Sequence, residues 1–479
     1  MKNTKRKVKT ALIIMLVLLS VFLIFLAALL IRTYTFSPAG KHRTGFWGNA
    51  EPAFAANFSL TERTQLLNNL KGALRMPTVA RSVTDFNISA LEEFRDYLPK
   101  VFPTVFSSNL VHHEIIANYS HLFTVRGSND SLQPYMLIAH LDVVPVLEEE
   151  WEVPPFSAEE QNGYLYGRGT LDDKSSAMGI LQALEFLFKR GYKPYRSFYI
   201  GIGHDEEVGG NSGAKNIATV LQSRGVKLSF LLDEGSVILN GVIPGLDKPA
   251  AVLENNPMPR MFGQGPERGL LEHLSSQLRF PLNVVMANLW LFAPLVSRMM
   301  ETKPSTNSII RTTTAVTEFH AGVKANVIAP SARATVNFRL HPVHKLQQLL
   351  NQIQNIISDE RVKIEVLDHH PSLPMSSYDD TSFGYQVIKG TIGNIFPEVA
   401  VAPGLCIAGT DTKHYQKLTR QLYRFIPMIL NEEDLTRIHG VNERISVKNY
   451  EEIVQFYFHL MQNSDIWTLP HPHSNSSDL

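Results

Sequence analysis

Apolar and polar residues alternate along this chain in a way that predicts most of its elements. Residues 11–31 form one apolar run without a charge. Beyond residue 58, apolar positions at helical spacing alternate with short continuous apolar runs that are typical of buried strands. The predicted helices are 60–74, 89–98 and 175–189, and the predicted strands are 135–139 (YMLIA), 198–202 (FYIGI) and 228–232 (LSFLL). Strands that alternate with helices indicate an α/β fold, with a mostly parallel sheet that carries helices on both faces.

The pattern changes in the middle of the chain, where residues 255–305 are rich in Met, Pro and Leu and show no clean period. Further strands are predicted at 309–316, 334–340 and 362–367, and further helices at 345–357 and 448–462. We therefore predict a catalytic domain in two parts, interrupted by a smaller inserted α+β domain. The predicted boundaries are 32–254 for the first catalytic part, 255–368 for the insertion, 369–464 for the second part and 465–479 for a disordered tail.

The N-terminal segment combines a basic head at residues 1–10 with the apolar run at 11–31. About 20 apolar residues can span a bilayer as a helix, whereas a cleaved signal peptide usually has a run of about 7–15. We therefore favour a signal anchor over a long cleaved signal peptide. The basic flank predicts a cytoplasmic head and a remainder that enters the secretory pathway, either anchored or secreted. All N-x-S/T sequons follow the run, as lumenal exposure requires; they are Asn57, Asn87, Asn118, Asn129 and Asn475.

Charge and cysteine content narrow the classes of chemistry. The chain has 45 Lys plus Arg against 45 Asp plus Glu, so its net charge gives no reason to expect a nucleic-acid partner. Cys406 is the only cysteine, which excludes an intramolecular disulfide and a cysteine-rich metal site. Any metal would therefore be held by His, Asp and Glu side chains.

Acidic and imidazole side chains follow each predicted strand of the first catalytic part. The segments are 140–142 (HLD), 204–207 (HDEE) and 233–234 (DE), and a fourth, 172–173 (DD), opens a helix. Since the carboxyl ends of parallel strands meet at one edge of a sheet, we expect these side chains to share a crevice. Crowded carboxylates repel each other unless a cation lies between them, and zinc suits a His/carboxylate set best, with manganese and cobalt as alternatives. Each segment alone also has an ordinary explanation, such as a helix N-cap for Asp-Asp.

Several motifs resemble those of the di-zinc aminoacylase and carboxypeptidase family of metallopeptidases. They are AHLDVVPV (139–146), GRGTLDDKSSAMG (167–179), HDEEVGG (204–210), LLDEG (231–235) and RIHGVNERISV (437–447). The resemblance covers almost all of the chain beyond the apolar run. It implies an α/β zinc domain with an inserted lid domain, two zinc ions per chain, and a small-molecule amide substrate. That substrate would be an N-acyl amino acid, or a fatty acid plus a free amino acid in the reverse direction. The oligomeric state is left open.

The same resemblance assigns a set of metal ligands, which are His140, Asp172, Glu207, Asp233 and His439. Asp172 would bridge both zinc ions. His140 and Asp233 would complete one site, and the remaining two residues would complete the other. The peptide bond between Asp172 and Asp173 would be cis.

Two further residues receive catalytic roles from the resemblance. Asp142 would lie behind His140 and accept its second N–H, which fixes the imidazole tautomer. Glu206 would be the general base that takes a proton from the attacking water and passes it to the leaving amine.

The substrate end of the site is assigned to three places in the chain. The loop of Gly409, Thr410 and Asp411 resembles the family loop that faces the substrate carboxylate. Arg339, on a predicted strand of the inserted domain, is a second candidate, for which a surface salt bridge is the alternative explanation. Asn326 resembles a lid residue that contacts the substrate.

One departure from the family pattern concerns the lid. In the family, a strand and helix lead into the lid and carry a Gly-His-Ser/Ala motif whose His stabilises the oxyanion. Here residues 249–252 run directly into LENNPMP, and no such motif is present. A βα unit of about 30 residues is therefore missing. Three hypotheses follow: an active amidohydrolase or synthase with a modified lid, a metal-binding but catalytically impaired variant, and a dipeptidase or carboxypeptidase of the same chemistry.

Overall fold

The computed structural model describes residues 2–35, 53–239, 250–255, 262, 266–300, 306, 309–321, 331–341, 345–370, 375–379, 381–404, 409–431 and 433–465. Its α-helices are α1 (Lys2–Thr35), α2 (Leu60–Leu74), α3 (Ile88–Val101), α4 (Pro103–Ser107), α5 (Lys174–Lys189), α6 (Ala214–Ser223), α7 (Pro266–Leu274), α8 (Leu282–Ala287), α9 (Leu289–Met300), α10 (Leu346–Ile357), α11 (Phe383–Ile395) and α12 (Val447–Asn463). Its strands are β1 (Ala80–Ser82), β2 (Asp85–Phe86), β3 (Val111–Ile116), β4 (Ser120–Val125), β5 (Tyr135–His140), β6 (Glu160–Gln161), β7 (Tyr164–Tyr166), β8 (Phe198–Gly203), β9 (Leu231–Leu239), β10 (Ala250–Asn255), β11 (Thr313–Ala321), β12 (Ala332–Arg339), β13 (Ala400–Gly404), β14 (Leu422–Leu430) and β15 (Arg444–Ser446).

The central sheet has its strands in the order β13-β10-β14-β9-β5-β8-β4-β3. Its middle is parallel, since β14 pairs with β9, β9 with β5, and β5 with β8. The flanking pairs β8–β4 and β4–β3 are antiparallel. Every residue of β5 is buried, which explains why its sequence is a continuous apolar run and not an alternating one.

Helices cover both faces of this sheet. On one face α5 and α12 pack together, and Leu181 and Ile453 belong to the same large core. Gly179 allows these two helices to approach closely, because a Cβ at this position would lie 2.7 Å from Ile453 Cγ2. On the other face α6 packs through Ile217 and Leu221 into a second core. The predicted α/β class, with a mostly parallel sheet between helical layers, is confirmed.

The predicted elements of the catalytic domain are present with small shifts at their ends. The helix predicted at 60–74 is α2, which begins with a capping box formed by Ser59 and Glu62. The strands predicted at 135–139 and 198–202 are β5 and β8. The third strand differs, because β9 begins at Leu231 and not at residue 228. It therefore extends through the acidic pair 233–234, which we expected beyond the end of the strand.

The middle of the chain contains α7–α9 and an antiparallel hairpin, β11–β12, followed by α10. The strand predicted at 362–367 is wrong, because residues 361–370 are exposed and contain no strand. The alternating apolar residues at 362–367 are typical of a strand with one apolar face, but a strand also needs a neighbouring strand that accepts and donates its backbone hydrogen bonds. The described part of the chain provides no such neighbour there. The boundaries of the inserted domain stay predictions.

The basic head and the apolar run form one continuous helix, α1. Its segment Leu12–Thr35, 24 residues, is long and apolar enough to cross a membrane. A signal peptide passes the same test, so both predictions for this segment remain open. The tail predicted at 465–479 lies outside the described residues beyond Asp465.

Candidate metal centre and active site

The carboxyl ends of β5 and β8 lie side by side, because His140 is opposite Gly203 in their parallel register. His140 is the last residue of β5, and the turn after β8 carries Glu206 and Glu207. The predicted convergence of these two segments on one edge of the sheet is therefore present. The loop before α5, which carries Asp172, reaches the same edge.

One group of possible metal ligands consists of His140, Asp172 and Glu234. His140 Nε2 lies 2.9 Å from Asp172 Oδ1 and 3.4 Å from Glu234 Oε1. Burial would lower the pKa of His140, but Glu234, Asp142 and Asp172 together raise that pKa well above its ordinary value. The carboxylates around this imidazole therefore stabilise positive charge at its edge.

A second group consists of Asp172, Glu207 and His439. His439 Nε2 lies 3.0 Å from Asp172 Oδ2 and 3.2 Å from Glu207 Oε2. Hydrogen bonds to these two carboxylates raise the pKa of His439 to about 10. Asp172 thus directs one oxygen into each group, and the two groups lie on either side of its carboxylate.

Glu443 holds the loop that positions Asp172. Its Oε1 accepts hydrogen bonds from the backbone N–H groups of Leu171 at 2.7 Å and Gly169 at 3.1 Å. Its Oε2 accepts one from Arg168, and both side chains of this ion pair are buried. The peptide bond between Asp172 and Asp173 is cis, as the resemblance implied.

Asp142 lies behind both groups. His140 Nδ1 is 3.0 Å from the backbone carbonyl of Asp142 and 3.4 Å from its carboxylate. The carboxylate oxygens of Asp142 accept the N–H groups of Glu206 and Glu207, each at 3.1 Å. Asp142 therefore orients the imidazole mainly through its backbone, and its side chain fixes the turn that carries the two glutamates.

Glu206 is adjacent to the second group without belonging to it. Burial raises the pKa of Glu206 to about 8, and the nearby carboxylates of Asp172 and Glu207 act in the same direction. A bound cation would oppose this shift, since an opposite charge favours the ionised carboxylate. The position and chemistry of Glu206 are those of a proton-transfer group beside a metal site.

In the structure Glu234, and not Asp233, lies in the group with His140 and Asp172, and the ligand role assigned to Asp233 stays a prediction. The pairing of β9 with β14 shifts register between Asp233 and Ser236, so the regular alternation of side chains is interrupted at this pair. Asp233 turns away and accepts the N–H of Thr412 at 3.1 Å. Burial raises the pKa of Asp233 to about 6, while Thr410 and Arg424 oppose the shift.

The substrate-binding predictions are only partly located by the structure. Thr410 and Asp411 are buried, whereas Gly409 is exposed. Asp411 lies beneath the turn after β8, where a Cβ on Gly210 would overlap its Oδ1. Burial, with Glu206 and Asp233 nearby, raises the pKa of Asp411 well above its usual range.

Arg339 is exposed at the end of β12. Asn326 lies outside the described residues. The substrate contacts assigned to these residues and to the 409–411 loop stay predictions.

Both groups suit divalent metal ions by their donor chemistry, because imidazole nitrogen and carboxylate oxygen are zinc ligands. Glu207 Oε1 is buried and has no hydrogen-bond partner among the described residues, and a cation would satisfy it. The residues present therefore fit a metal centre with a shared carboxylate.

Sequence reasoning missed Glu234, Glu443 and Arg168. Glu234 is the neighbour of Asp233 in the chain, and the sequence contains no signal that shows which of the two carboxylates points toward His140. Glu443 was part of the quoted HGVNE motif, yet its partners lie more than 270 residues earlier in the chain. No periodicity or spacing signal connects residues that far apart.

Comparison with known proteins agrees with the geometry. Residues 136–463 match Peptidase family M20/M25/M40. The chain is 50% identical over 506 residues to the N-fatty-acyl-amino acid synthase/hydrolase PM20D1 of Xenopus tropicalis, which covers 96% of this chain and 98% of the frog protein. It is 48% identical over 496 residues to the N-fatty-acyl-amino acid synthase/hydrolase PM20D1.1 of Danio rerio, covering 95% of this chain and 96% of the fish protein. The frog alignment exceeds the 479 residues of this chain, so the frog protein has residues without a counterpart here.

The fold is similar to that of a solved metallopeptidase. The M20 family metallo-carboxypeptidase Sso-CP2 from Sulfolobus solfataricus superimposes with a TM-score of 0.59 at 14% identity, over 84% of this chain and 99% of that chain. Together these findings confirm the predicted resemblance and an enzyme of the metal-dependent amidohydrolase type. The chain belongs to Peptidase family M20/M25/M40.

Proposed function

We propose that this chain hydrolyses, and in reverse forms, the amide bond of N-fatty-acyl amino acids with the help of two zinc ions. The observation that carries this proposal is the carboxylate of Asp172, whose oxygens lie 2.9 Å from His140 Nε2 and 3.0 Å from His439 Nε2. One carboxylate shared by two His/carboxylate groups is the arrangement of donors that holds two cations close together. The substrate class comes from the named activity of the frog and fish relatives, which are about half identical to this chain.

Each zinc ion would have ligands from one of the two groups. His140, Asp172 and Glu234 would hold the first, and Asp172, Glu207 and His439 would hold the second. When bound, zinc lowers the pKa of water and polarises the amide carbonyl.

Proton transfer falls to Glu206. Its carboxylate takes a proton from the attacking water and then delivers it to the nitrogen of the leaving amino acid. Asp142 keeps Glu206 in place by accepting its backbone N–H at 3.1 Å. Because the enzyme does not change the equilibrium, the concentrations of fatty acid, amino acid and amide decide between synthesis and hydrolysis.

The location of the enzyme follows from α1. We propose that Leu12–Thr35 is a signal anchor, so that the catalytic domain lies in the lumen of the secretory pathway or outside the cell. The frog alignment is longer than this chain, so the frog protein has residues that this chain lacks, and we propose that they include the lid segment with the family's oxyanion-binding His. Loss of one oxyanion donor typically costs roughly 100- to 1,000-fold in rate, so we expect a slow enzyme and not an inert one.

The test uses the full chain in detergent, expressed with zinc, and compares it with Glu206→Gln. Metal content is measured by elemental analysis, and hydrolysis is measured on N-oleoyl-phenylalanine. We expect two zinc ions per chain in both proteins, with turnover only in the parent and at least a roughly 100-fold loss in the variant.

Two other outcomes would contradict the proposal. Two zinc ions without turnover in the parent would identify a metal-binding variant that the shorter lid has disabled. Turnover of dipeptides without turnover of the oleoyl amide would identify a peptidase.

A further inference from the structure

The glutamate turn, residues 204–210, carries both Glu206 and Glu207 and ends in two glycines. Gly209 and Gly210 have φ angles of +109° and +66°, in the left-handed region that glycine enters at little cost. The N–H of Gly209 donates to the carbonyl of Glu206 at 2.7 Å, so the glycine end of the turn is tied directly to that glutamate. Because two successive glycines are conformationally permissive, this end of the turn depends on contacts from outside it.

The side chain of His414 provides such a contact. Its Nε2 lies 3.0 Å from the carbonyl oxygen of Gly209. A carbonyl oxygen only accepts hydrogen bonds, so Nε2 carries the hydrogen and the imidazole is the donor. Burial lowers the pKa of His414 to about 4, and the charges of Lys413 and Lys215 act in the same direction. The imidazole is therefore neutral near pH 7, and its single N–H is used on the glutamate turn.

The segment that carries His414 is itself held firmly in the fold. It is a short 3₁₀ helix, Asp411–His414, which lies between β13 and β14 in the chain. Thr412 within it is buried, and its Oγ1 accepts a hydrogen bond from Arg424 Nε of β14 at 2.8 Å. Tyr415, the next residue, is buried in the second core. The imidazole therefore extends from backbone whose position is fixed by β14 and by that core.

The short helix and the glutamate turn are also in close contact. A Cβ on Gly210 would lie 3.0 Å from His414 Nε2 and would overlap Asp411 Oδ1. A Cβ on Gly203, the last residue of β8, would lie 3.0 Å from Asp411 Oδ2. The short helix thus packs against the end of β8 and against the glycine end of the turn, where a larger residue would push the two segments apart.

We propose that His414 is a positioning residue for catalysis, which sets the place of Glu206 and Glu207 by donating its Nε2 hydrogen to the carbonyl of Gly209. This inference rests on the proposed function, in which Glu206 transfers the proton and Glu207 holds one zinc ion. Asp142 holds the N–H groups of the two glutamates, and His414 holds the carbonyl at the glycine end, so the turn is fixed at both ends. A misplacement of reacting groups by about 1 Å costs about 100-fold in rate.

The experiment removes the donor and then restores it, in the full chain loaded with zinc. His414→Leu keeps about the volume of the imidazole without an N–H, and His414→Gln returns an amide N–H at nearly the reach of Nε2. The matched control is His113→Leu. His113 is also half-buried and shares a hydrogen bond through a ring nitrogen, with His121 at 3.0 Å, but it lies on β3, two strands away from β8.

Hydrolysis of N-oleoyl-phenylalanine gives kcat and KM, and titration with a chelator gives the release of zinc. We expect His414→Leu to lower kcat by roughly 10- to 100-fold with KM nearly unchanged, because the loss affects the reacting groups and not the binding of substrate. One of the two zinc ions should be released roughly 10-fold more readily, since Glu207 belongs to only one ligand group. His414→Gln should recover most of both properties, and His113→Leu should match the parent.

Three results would overturn the proposal. The first is a parent-like kcat and zinc release in His414→Leu. The second is an equal loss in His414→Leu and His414→Gln, because the hydrogen bond would then not be the cause. The third is an equal loss in His113→Leu, because the loss would then report general destabilisation. If urea unfolding shows that His414→Leu does not fold, His414→Asn replaces it in the same comparison, since its amide is one methylene shorter than that of Gln and does not reach Gly209.

Zinc release separates this inference from the proposed function. The parent could bind two zinc ions without hydrolysing the amide, while one ion leaves faster in His414→Leu and not in His414→Gln. That result would count against the proposed function and leave the positioning role of His414 standing. A parent that binds no zinc would overturn both.

Discussion

Replacing Glu443 by Gln tests how the loop that carries Asp172 is held. Glu443 is completely buried and joins two kinds of partner, the backbone N–H groups of Gly169 and Leu171 and the guanidinium of Arg168. Glutamine has nearly the same size and retains one carbonyl oxygen for the N–H groups. It removes the negative charge opposite Arg168, so the substitution isolates the ion pair from the packing.

The expected loss is about 3–5 kcal/mol in the free energy of unfolding, which is the usual cost of removing one partner of a buried ion pair. The side chains of Arg168 and Glu443 are 3% and 0% exposed, so water cannot solvate the charge that remains. The retained hydrogen bonds lose their charge assistance and become roughly half as strong, which favours the upper end of that range. Glu443→Ala would also leave two buried N–H groups without acceptors, at about 1–3 kcal/mol each.

The assay is urea unfolding with the midpoint read at an unchanged m-value, accompanied by zinc competition with a chelator. The matched control is Glu160→Gln, because Glu160 pairs with Lys71 at 2.7 Å but is 40% exposed, and such a pair contributes less than about 1 kcal/mol. Zinc affinity should fall by roughly 10- to 100-fold in Glu443→Gln, since the loop behind a ligand is loosened. If Glu443→Gln unfolds within about 1 kcal/mol of the control, the charge of Glu443 does not stabilise the loop and the reasoning fails.

Three further predictions concern the metal centre and a buried histidine. Asp172→Ala should lose both zinc ions and lower the unfolding midpoint, because both ligand groups share its carboxylate; two retained equivalents would exclude the bridging role. Glu234→Gln should lower the zinc content or the zinc affinity of one site, whereas Asp233→Asn should retain both ions. Loss of zinc in Asp233→Asn but not in Glu234→Gln would instead identify Asp233 as the ligand, as the motifs predict. Burial lowers the pKa of the His121 imidazole to about 3. Between about pH 6.5 and 3 only the unfolded chain therefore binds a proton at this residue. The free energy of unfolding then decreases as the pH is lowered, by at most about 1.4 kcal/mol per pH unit. His121→Phe should therefore show a shallower loss of stability between pH 7 and pH 5 in urea unfolding, and an unchanged slope would count against the argument.

The raised pKa values of the buried glutamates at the centre have one common physical origin. Burial raises the pKa of Glu206 to about 8, and Glu234 is raised well above its usual range for the same reason. Negative groups that burial crowds together must bind protons or cations. In this chain the two imidazoles and the shared carboxylate of Asp172 provide a geometry that suits cations, which supports the proposal that the cluster is a metal centre.

The sequence by itself determined the elements whose pattern is complete within a short window. The continuous apolar run of β5 predicts a strand buried on both faces, and the helical spacing in α5 predicts the helix that covers it. The apolar run of α1 likewise needs no partner to be identified. The order of strand ends followed by His140 and by Glu206 and Glu207 was sufficient to place these side chains at one edge of the sheet, because parallel strands end on the same side.

Only the tertiary structure decided which neighbouring or distant groups meet. Asp233 and Glu234 are adjacent and chemically alike, and the fold directs Glu234 toward His140 and Asp233 toward the backbone N–H of Thr412. Glu443 reaches its loop only because β15 pairs with β7 and brings the C-terminal motif back to it. Residues 362–367 have a strand pattern but no strand, since ladder hydrogen bonds come from a partner elsewhere in the chain. Local pattern fixes which face of a segment is apolar, whereas contacts between remote segments are fixed by the packing of the whole fold.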